Sequence, residues 1–238
     1  MTDPPRHASS CLDRLLSCRL THTNRSVCFG PMPNPPTPQG KPANAAAKLL
    51  QAAIAVIRAK GYNGTSVDDL CSAAGVTKGA FFHHFASKEA LGVAAAEYWS
   101  DITGVLFAAA PYHDLPDPLD RVLGYIDFRA DLLTGPVEAF TCLAGTMVQE
   151  AFALSPAIRD ACNTCISNHA RTLEADIAAA MEQRGVAGIS PQSLALHTQA
   201  VLQGAFILAK ARGGPEVARD SVGHLKAYFG LLFRIPHP

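Results

Sequence analysis

Phe81, Phe82, His83, His84 and Phe85 stand consecutively in the stretch AAGVTKGAFFHHFASKEAL, behind a glycine turn and a single lysine, Lys78. Side chains of these types could line a catalytic pocket, hold a metal or read a nucleic acid. Adjacent histidines on a helix point about 100° apart, so His83 and His84 do not form a chelating pair, and neither has a carboxylate neighbour to orient it. A second group, CNTCISNH, sets Cys162, Cys165 and His169 at i, i+3 and i+7, one face of a single helix. Three soft ligands on one face could bind a metal or meet an electrophile, and Cys162 and Cys165 could serve as a dithiol redox pair. Against this, one helix rarely completes a tetrahedral site, and buried cysteine is a common core residue. The CxxC pair also lacks the strand-to-helix setting that usually activates such thiols. No Ser/His/Asp set and no phosphate loop is found. No metal, cofactor or enzyme activity is expected, and a thiol sensor or dithiol enzyme using Cys162 and Cys165 stands as the alternative function.

The elements that must position these residues are helical throughout. Residues 29–43, FGPMPNPPTPQGKPA, are too rich in Pro and Gly for a helix or a central strand. Residues 1–43 are therefore expected to be a disordered or Pro-rich tail, with Met32 a candidate natural start. Beyond it the chain turns alanine-rich with helical periodicity, and no alternating β-branched run follows. NAAAKLLQAAIAVIRAKG puts Ala46, Leu49, Leu50, Ala53, Ile54 and Ile57 on one face and stops at Gly61. In TSVDDLCSAAG, Ser66 and Asp69 have the spacing of a capping box, and Val67, Leu70 and Ala74 form the apolar stripe up to Gly75. Thr77 then caps a short third helix with Ala80, Phe81 and Phe85 inward, and Ser87 caps a fourth running to about Ala109. Further helices are expected over 118–133, 136–153, 156–184, 191–211 and 215–233, forming a second, larger bundle.

Helix two, the turn AGV and helix three have the lengths and tight glycine corner of a helix-turn-helix. A head of about fifty residues has little core, so Phe81 and Phe85 are needed as inward anchors. The exposed face is then Thr77, Lys78, Gly79, Ala80, Phe82, His83 and His84. Lys78 can donate to guanine or phosphate, Gly79 and Ala80 let the backbone approach the bases, and Thr77 offers a hydroxyl and a methyl. The helix N-termini at Ser66 and Ser87, the latter beside Lys88, are suited to phosphate.

At these residues the chain resembles the TetR/AcrR family of one-component transcriptional regulators, over residues 44–91 and specifically GYNGTSVDDLCSAAGVTKGAFFHHFASKEAL. The resemblance implies that Thr77, Lys78, Gly79, Ala80 and His83 face bases or sugar-phosphate, with Ser66, Phe82, His84 and Lys88 along the DNA backbone. The family usually has tyrosine where this chain has Phe82, so a phosphate hydrogen bond is lost there and only packing remains. The resemblance further implies an all-α protein: a helix-turn-helix domain at 44–91, then a ligand-binding and dimerisation domain at 92–238. Its expected partners are a palindromic double-stranded operator, a small-molecule effector and a second copy of itself.

The 238-residue chain has zero formal net charge, unevenly spread. Residues 41–91 carry six basic and three acidic side chains, residues 92–238 ten and fifteen, and residues 1–40 four and two. An acidic body with a basic head suits a protein that meets a polyanion through the head alone. Seven cysteines, at 11, 18, 28, 71, 142, 162 and 165, are an odd number in a chain too large to need staples, which argues for reducing cytoplasm. Four arginines and several serines within residues 4–30 make a transit peptide the competing reading. No run nears the roughly 18 apolar residues of a membrane span.

In the larger bundle, PQSLALHTQAVLQGAFILAKARGG is apolar around nearly all its circumference, with small residues at Ala200, Gly204 and Ala205. It is expected to be buried on all sides, pairing with the last helix (Val217, Leu225, Tyr228, Phe229, Leu232, Phe233) in a four-helix dimer interface. Large apolar residues with scattered polar groups suit a drug-sized cavity. The residues expected to hold an effector are Phe128, Phe140, Cys142, Met147, Glu150, Phe152 and His169.

Overall fold

A computed structural model of the chain describes residues 44–234. The expectations for residues 1–43, including the Pro-rich segment, Met32 and three of the cysteines, lie outside the described residues. Among those residues there is no strand.

Helix α1 (Ala45–Lys60) starts where the Asn44 side chain accepts from Ala47 N and ends at Gly61, whose φ of 82° suits glycine. Leu49, Ala52, Ala53, Ile54 and Ile57 are buried, while Ala46 and Leu50, expected inward, are half-buried. Helix α2 (Val67–Ala74) opens with the full capping box: Ser66 Oγ accepts from Asp69 N, and Ser66 N donates to Asp69 Oδ2. It ends at Gly75, left-handed at φ 63°, where an added side chain would meet no neighbour, so conformation and not space calls for glycine. Helix α3 (Lys78–His84) is capped by Thr77, and α4 (Lys88–Ala108) by Ser87.

After a 3-10 turn at Pro111–Asp114 come α5 (Pro118–Asp131), α6 (Val137–Phe140), α7 (Leu143–Ala151), α8 (Pro156–Arg171), α9 (Glu174–Arg184), α10 (Pro191–Arg212) and α11 (Glu216–Leu232). Two segments expected to be continuous are divided. The 136–153 segment breaks at Thr141 and Cys142, both extended, and the Cys142 thiol caps α7 by accepting from Gly145 N at 3.4 Å. The 156–184 segment breaks at Thr172, whose hydroxyl donates to the His169 carbonyl while Thr172 N and Leu173 N switch to three-residue spacing. A threonine competing for the helical carbonyl ladder accounts for that break.

Two apolar cores result. The first joins the head to the bundle: Leu49, Ile57, Leu70, Phe81 and Leu91 share it with Leu143, Met147, Ile158 and Cys162. The second gathers α5, α9, α10 and α11 around Tyr125, Ile177, Phe206 and Phe229. Helix α4 links them, with Leu91, Ala95 and Trp99 in the first and Phe107 in the second. At 21 residues it is about 31 Å long.

Candidate functional site

The head presents α3 as its most exposed helix. Phe81 is fully buried and holds the helix down, packing edge-on to Phe82 and tilted against half-buried Phe85. Thr77, Lys78, Gly79, Phe82, His83 and His84 are exposed and Ala80 is half-buried, so one face of α3 is free for a partner. A side chain added at Gly79 would touch nothing closer than Thr77 Oγ1 at 3.7 Å. Lys78 reaches back to Asp68 on α2 at 2.8 Å, both groups open to water. That hydrogen bond and charge hold the Lys78 ammonium above its ordinary pKa, so it stays cationic. The His83 and His84 rings lie edge to face, 4.9 Å apart. Among the described residues no group of three or more His, Cys, Asp or Glu side chains could hold a metal.

Two residues expected along a DNA backbone are engaged within the head. Lys88 Nζ donates to the carbonyl oxygens of Tyr62 and Thr65, at 3.0 and 2.9 Å, and lies over the Tyr62 ring. The loop after α1 has left those carbonyls without helical partners, and the lysine takes both. The Ser66 hydroxyl, besides accepting from Asp69 N, donates to Asp69 Oδ2 at 2.8 Å. The Asp69 carboxyl is held well below the usual carboxylate range, first by Lys60 and then by Ser66. The N-terminus of α2 thus already carries an anion of its own, where phosphate had been expected.

A cavity of about 50 Å³ lies where the two cores meet. One face of α4 supplies Trp99, Thr103 and Phe107, spaced four apart. Arg129, Leu132 and Leu133 come from the end of α5, Phe140 and Cys142 from the break before α7, Cys165 and His169 from α8, and Gln199, Gln203 and Phe206 from α10. Gln199 donates its amide to Tyr125 OH at 3.1 Å, and Tyr125 OH lies 3.0 Å from His169 Nε2. With Tyr125 accepting from Gln199, its hydroxyl proton goes to Nε2, which sets His169 as the tautomer protonated at Nδ1. Burial, followed by the nearby Arg129 charge, brings the His169 pKa down to about 3, so the ring is neutral near neutrality.

Of the seven residues expected to hold an effector, the structure brings Phe140, Cys142 and His169 to this cavity. Phe128 is buried one ring away, against Phe107 and Tyr112. The other three lie elsewhere. Met147 is fully buried in the head-side core, because α7 turns that face toward α4 and α8. Glu150 closes the head–bundle seam, accepting from Asn63 N at 2.7 Å and lying so near Gly61 that an added side chain there would collide with it. Phe152 is 59% exposed beyond the end of α7. The sequence reading missed Trp99, Thr103, Arg129, Gln199 and Phe206. The four-residue spacing of Trp99, Thr103 and Phe107 was a visible signal. Nothing in the sequence around Arg129 marks its charge as turned inward.

Burial pushes the Cys162 and Cys165 thiols up to about 12, which leaves both protonated and weakly nucleophilic. Arg58, on α1, sits over Trp99 with Nε and Nη2 buried and without a hydrogen-bond partner among the described residues. Burial lowers its pKa to about 10, with the nearby Cys142 and Glu138 side chains working the other way.

The outer face of α10, expected to be covered in a dimer interface, is open in the single chain. Leu196, Ile207 and Leu208 are close to half exposed, as is Tyr228 on α11, and Leu231 is 66% exposed. Leu225, Phe229 and Phe233 are instead buried within the chain's own core. Helix α10 packs on α6, α8, α9 and α11, which leaves Leu196, Ile207 and Leu208 open in the single chain.

Residues 49–95 match the family described as "Bacterial regulatory proteins, tetR family", and residues 118–225 match "Tetracyclin repressor-like, C-terminal domain". The chain is 32% identical over 112 residues to the HTH-type transcriptional repressor DhaR of Mycobacterium sp. (strain GP1), a stretch covering 47% of this chain and 54% of that protein. It is 29% identical over 142 residues to the transcriptional regulator AcuR of Cereibacter sphaeroides, covering 60% of this chain and 65% of that one. The matched stretch thus spans about half the length of the first relative and just under two thirds of the second. Among solved structures, E. coli NemR in its reduced form superposes with a TM-score of 0.67 at 23% identity, covering 77% of this chain and 95% of that one. The regulatory protein TetR from Rhodobacter sphaeroides gives 0.66 at 24% identity, covering 79% and 98%. At these identities the structural likeness is one of fold. Among the described residues no helix is long and apolar enough to cross a membrane.

Proposed function

The chain belongs to the TetR family of bacterial regulatory proteins, and we propose that it is a dimeric repressor released from its operator by a small molecule. The observation that carries this reading is α3: a short helix anchored by fully buried Phe81, with Lys78, Gly79, Phe82, His83 and His84 turned outward. A helix held this way can enter a major groove, with Thr77, Lys78, Gly79, Ala80 and His83 meeting base edges and sugar-phosphate while Phe82 and His84 pack along the strand. Ser66 and Lys88 act one step back, through the cap and the loop carbonyls that fix where α2 and α3 point. Two copies would pair through the open faces of α10 and α11, around Leu196, Ile207, Leu208, Tyr228 and Leu231. The two α3 helices would then sit about 34 Å apart, in successive major grooves of a palindromic site in the bacterial cytoplasm.

The switch is helix α4. It is the last helix of the head and one wall of the cavity, so an effector between Trp99, Phe107 and Phe140 that fits one tilt of α4 better than another changes the spacing of the heads. An effector with equal affinity for both tilts would shift nothing. The dithiol alternative is not favoured, since Cys162 and Cys165 are buried with raised pKa values. Footprinting the DNA upstream of the protein's own gene tests the reading: a protected palindrome that opens when an effector is added supports it, and protection without sequence preference counts against it.

A further inference from the structure

The cavity wall holds one formally charged side chain, Arg129, and no carboxylate. This is unusual placement in a body whose acids outnumber its bases by fifteen to ten over residues 92–238. Three other arginines of the bundle are tied down, Arg121 to Asp176, Arg184 to Asp117 and Arg219 to the Leu133 carbonyl, while Arg58 of the head sits over Trp99 and is not among the residues lining the cavity. Arg129 makes no hydrogen bond or ion pair among the described residues. Its guanidinium is instead set between two aromatic faces, 5.2 Å from the Phe107 ring centre and 5.5 Å from that of Phe206. The rings attract its charge, but they offer its N–H groups no oxygen acceptor. An arginine drawn partly out of water without a counter-charge is costly, and a ligand carboxylate accepting two parallel N–H bonds removes the cost.

The remaining wall fits the other end of such a molecule. Trp99, Leu132, Leu133 and Phe140 are apolar, and Gln203 and Thr103 can meet a second polar group. At about 50 Å³ the space holds only about four water-sized occupants, so the ligand is small. We propose that this cavity binds a small organic carboxylate, its anionic end taken by Arg129 between Phe107 and Phe206 and its apolar end lying against Trp99 and Phe140. The inference rests on reading the cavity as the effector site and adds the chemical class of the effector.

Trp99 lines the cavity and is the chain's sole tryptophan, so its emission reports occupancy directly. The full chain, without DNA and at fixed ionic strength, is titrated with acetate, butyrate and hexanoate, each against its neutral amide. The expected result is a saturable change in emission with at least one acid, at a half-saturation concentration about tenfold or more below that of its amide. In Arg129→Gln the acid and the amide fall within about twofold of each other, and Arg129→Lys keeps part of the preference because it keeps the charge. The wild-type comparison of acid with amide stands even if a variant fails to fold. Equal affinity for acid and amide, no saturable response to any acid, or a preference for the acid that survives in folded Arg129→Gln would each overturn the inference. Because no DNA is present, its failure is distinct from that of the regulatory reading. A chain that bound acids yet recognised no operator would contradict only the latter, and one released from its operator by neutral compounds alone would contradict only the former.

Discussion

The guanidinium of Arg58, on the first helix of the head, lies 4.8 Å from the ring centre of Trp99, which is itself a wall of the cavity. The head thus touches the back of the cavity through one cation–π contact, and that cation has two nitrogens without hydrogen-bond partners among the described residues. Replacing it with Met keeps the bulk and removes the orphaned charge, so Arg58→Met is expected to raise stability by about 1 to 3 kcal/mol, read by denaturant unfolding. Operator affinity should hold while the effector's power to weaken it declines. A variant less stable than the wild type would mean that the Glu138 charge and the Trp99 ring already compensate Arg58.

Neighbouring phenylalanines on α3 should behave in opposite ways. Phe81 is fully buried and Phe82 is 56% exposed. Phe81→Ala is expected to cost about 3 to 5 kcal/mol, and Phe82→Ala no more than about 0.5 kcal/mol. Thermal melts of both variants, beside their operator affinities, give the check: Phe82→Ala should lose DNA contact without losing the fold.

Lys78 and Lys88 separate in the same manner. Lys78→Ala and Gly79→Glu should abolish specific binding with helicity and melting unchanged, since Lys78 meets only exposed Asp68 and Gly79 has open space. Lys88→Ala takes the lysine partner from the Thr65 carbonyl and leaves the Tyr62 carbonyl with only its turn bond from Thr65 N, and is expected to destabilise the head by about 1 to 3 kcal/mol. Circular dichroism of the three variants distinguishes recognition from structure; a parallel loss of helicity in Lys78→Ala would make that residue structural.

His169 gives the protein an acid-sensitive joint. Its pKa falls from 6.5 when unfolded to about 3 when folded. In that window the unfolded chain binds a proton the folded chain refuses, so stability is whole above pH 6.5 and is lost as the pH falls toward 3. The slope approaches about 1.4 kcal/mol per pH unit. His169→Gln, which keeps a partner for Tyr125, should flatten that part of the stability curve relative to the wild type. An unchanged curve would assign the acid sensitivity to other groups.

Much of the head was legible because its signals are local: the capping box of Ser66 and Asp69, the glycine at 75 and the caps at Thr77 and Ser87 each act within a few residues. The cavity was legible only in part. Phe140, Cys142 and His169 were expected there, yet Met147 and Glu150 belong to the seam between head and bundle, which depends on how α7 rotates against α4 and on no nearby residue. The break at Thr141 and Cys142 carries neither proline nor glycine, so periodicity ran through it. Arg129 stayed hidden because a lone arginine reads as surface until the rings of Phe107 and Phe206 close around it. The open side of α10 is the side that the expected pairing with a second copy would cover: an apolar circumference says that a helix will be covered, without saying how much of it by its own chain.

Reading of a DNA sequence by α3 is measured by the affinity of the full chain for its footprinted segment and for a scrambled duplex of equal length, across rising salt. Affinity for both is expected to fall with salt while the footprinted segment stays preferred by about a thousandfold or more, and Lys78→Ala is expected to reduce this preference toward parity. Equal affinity for the two duplexes at every salt concentration, with Lys78→Ala indistinguishable from wild type, would contradict it.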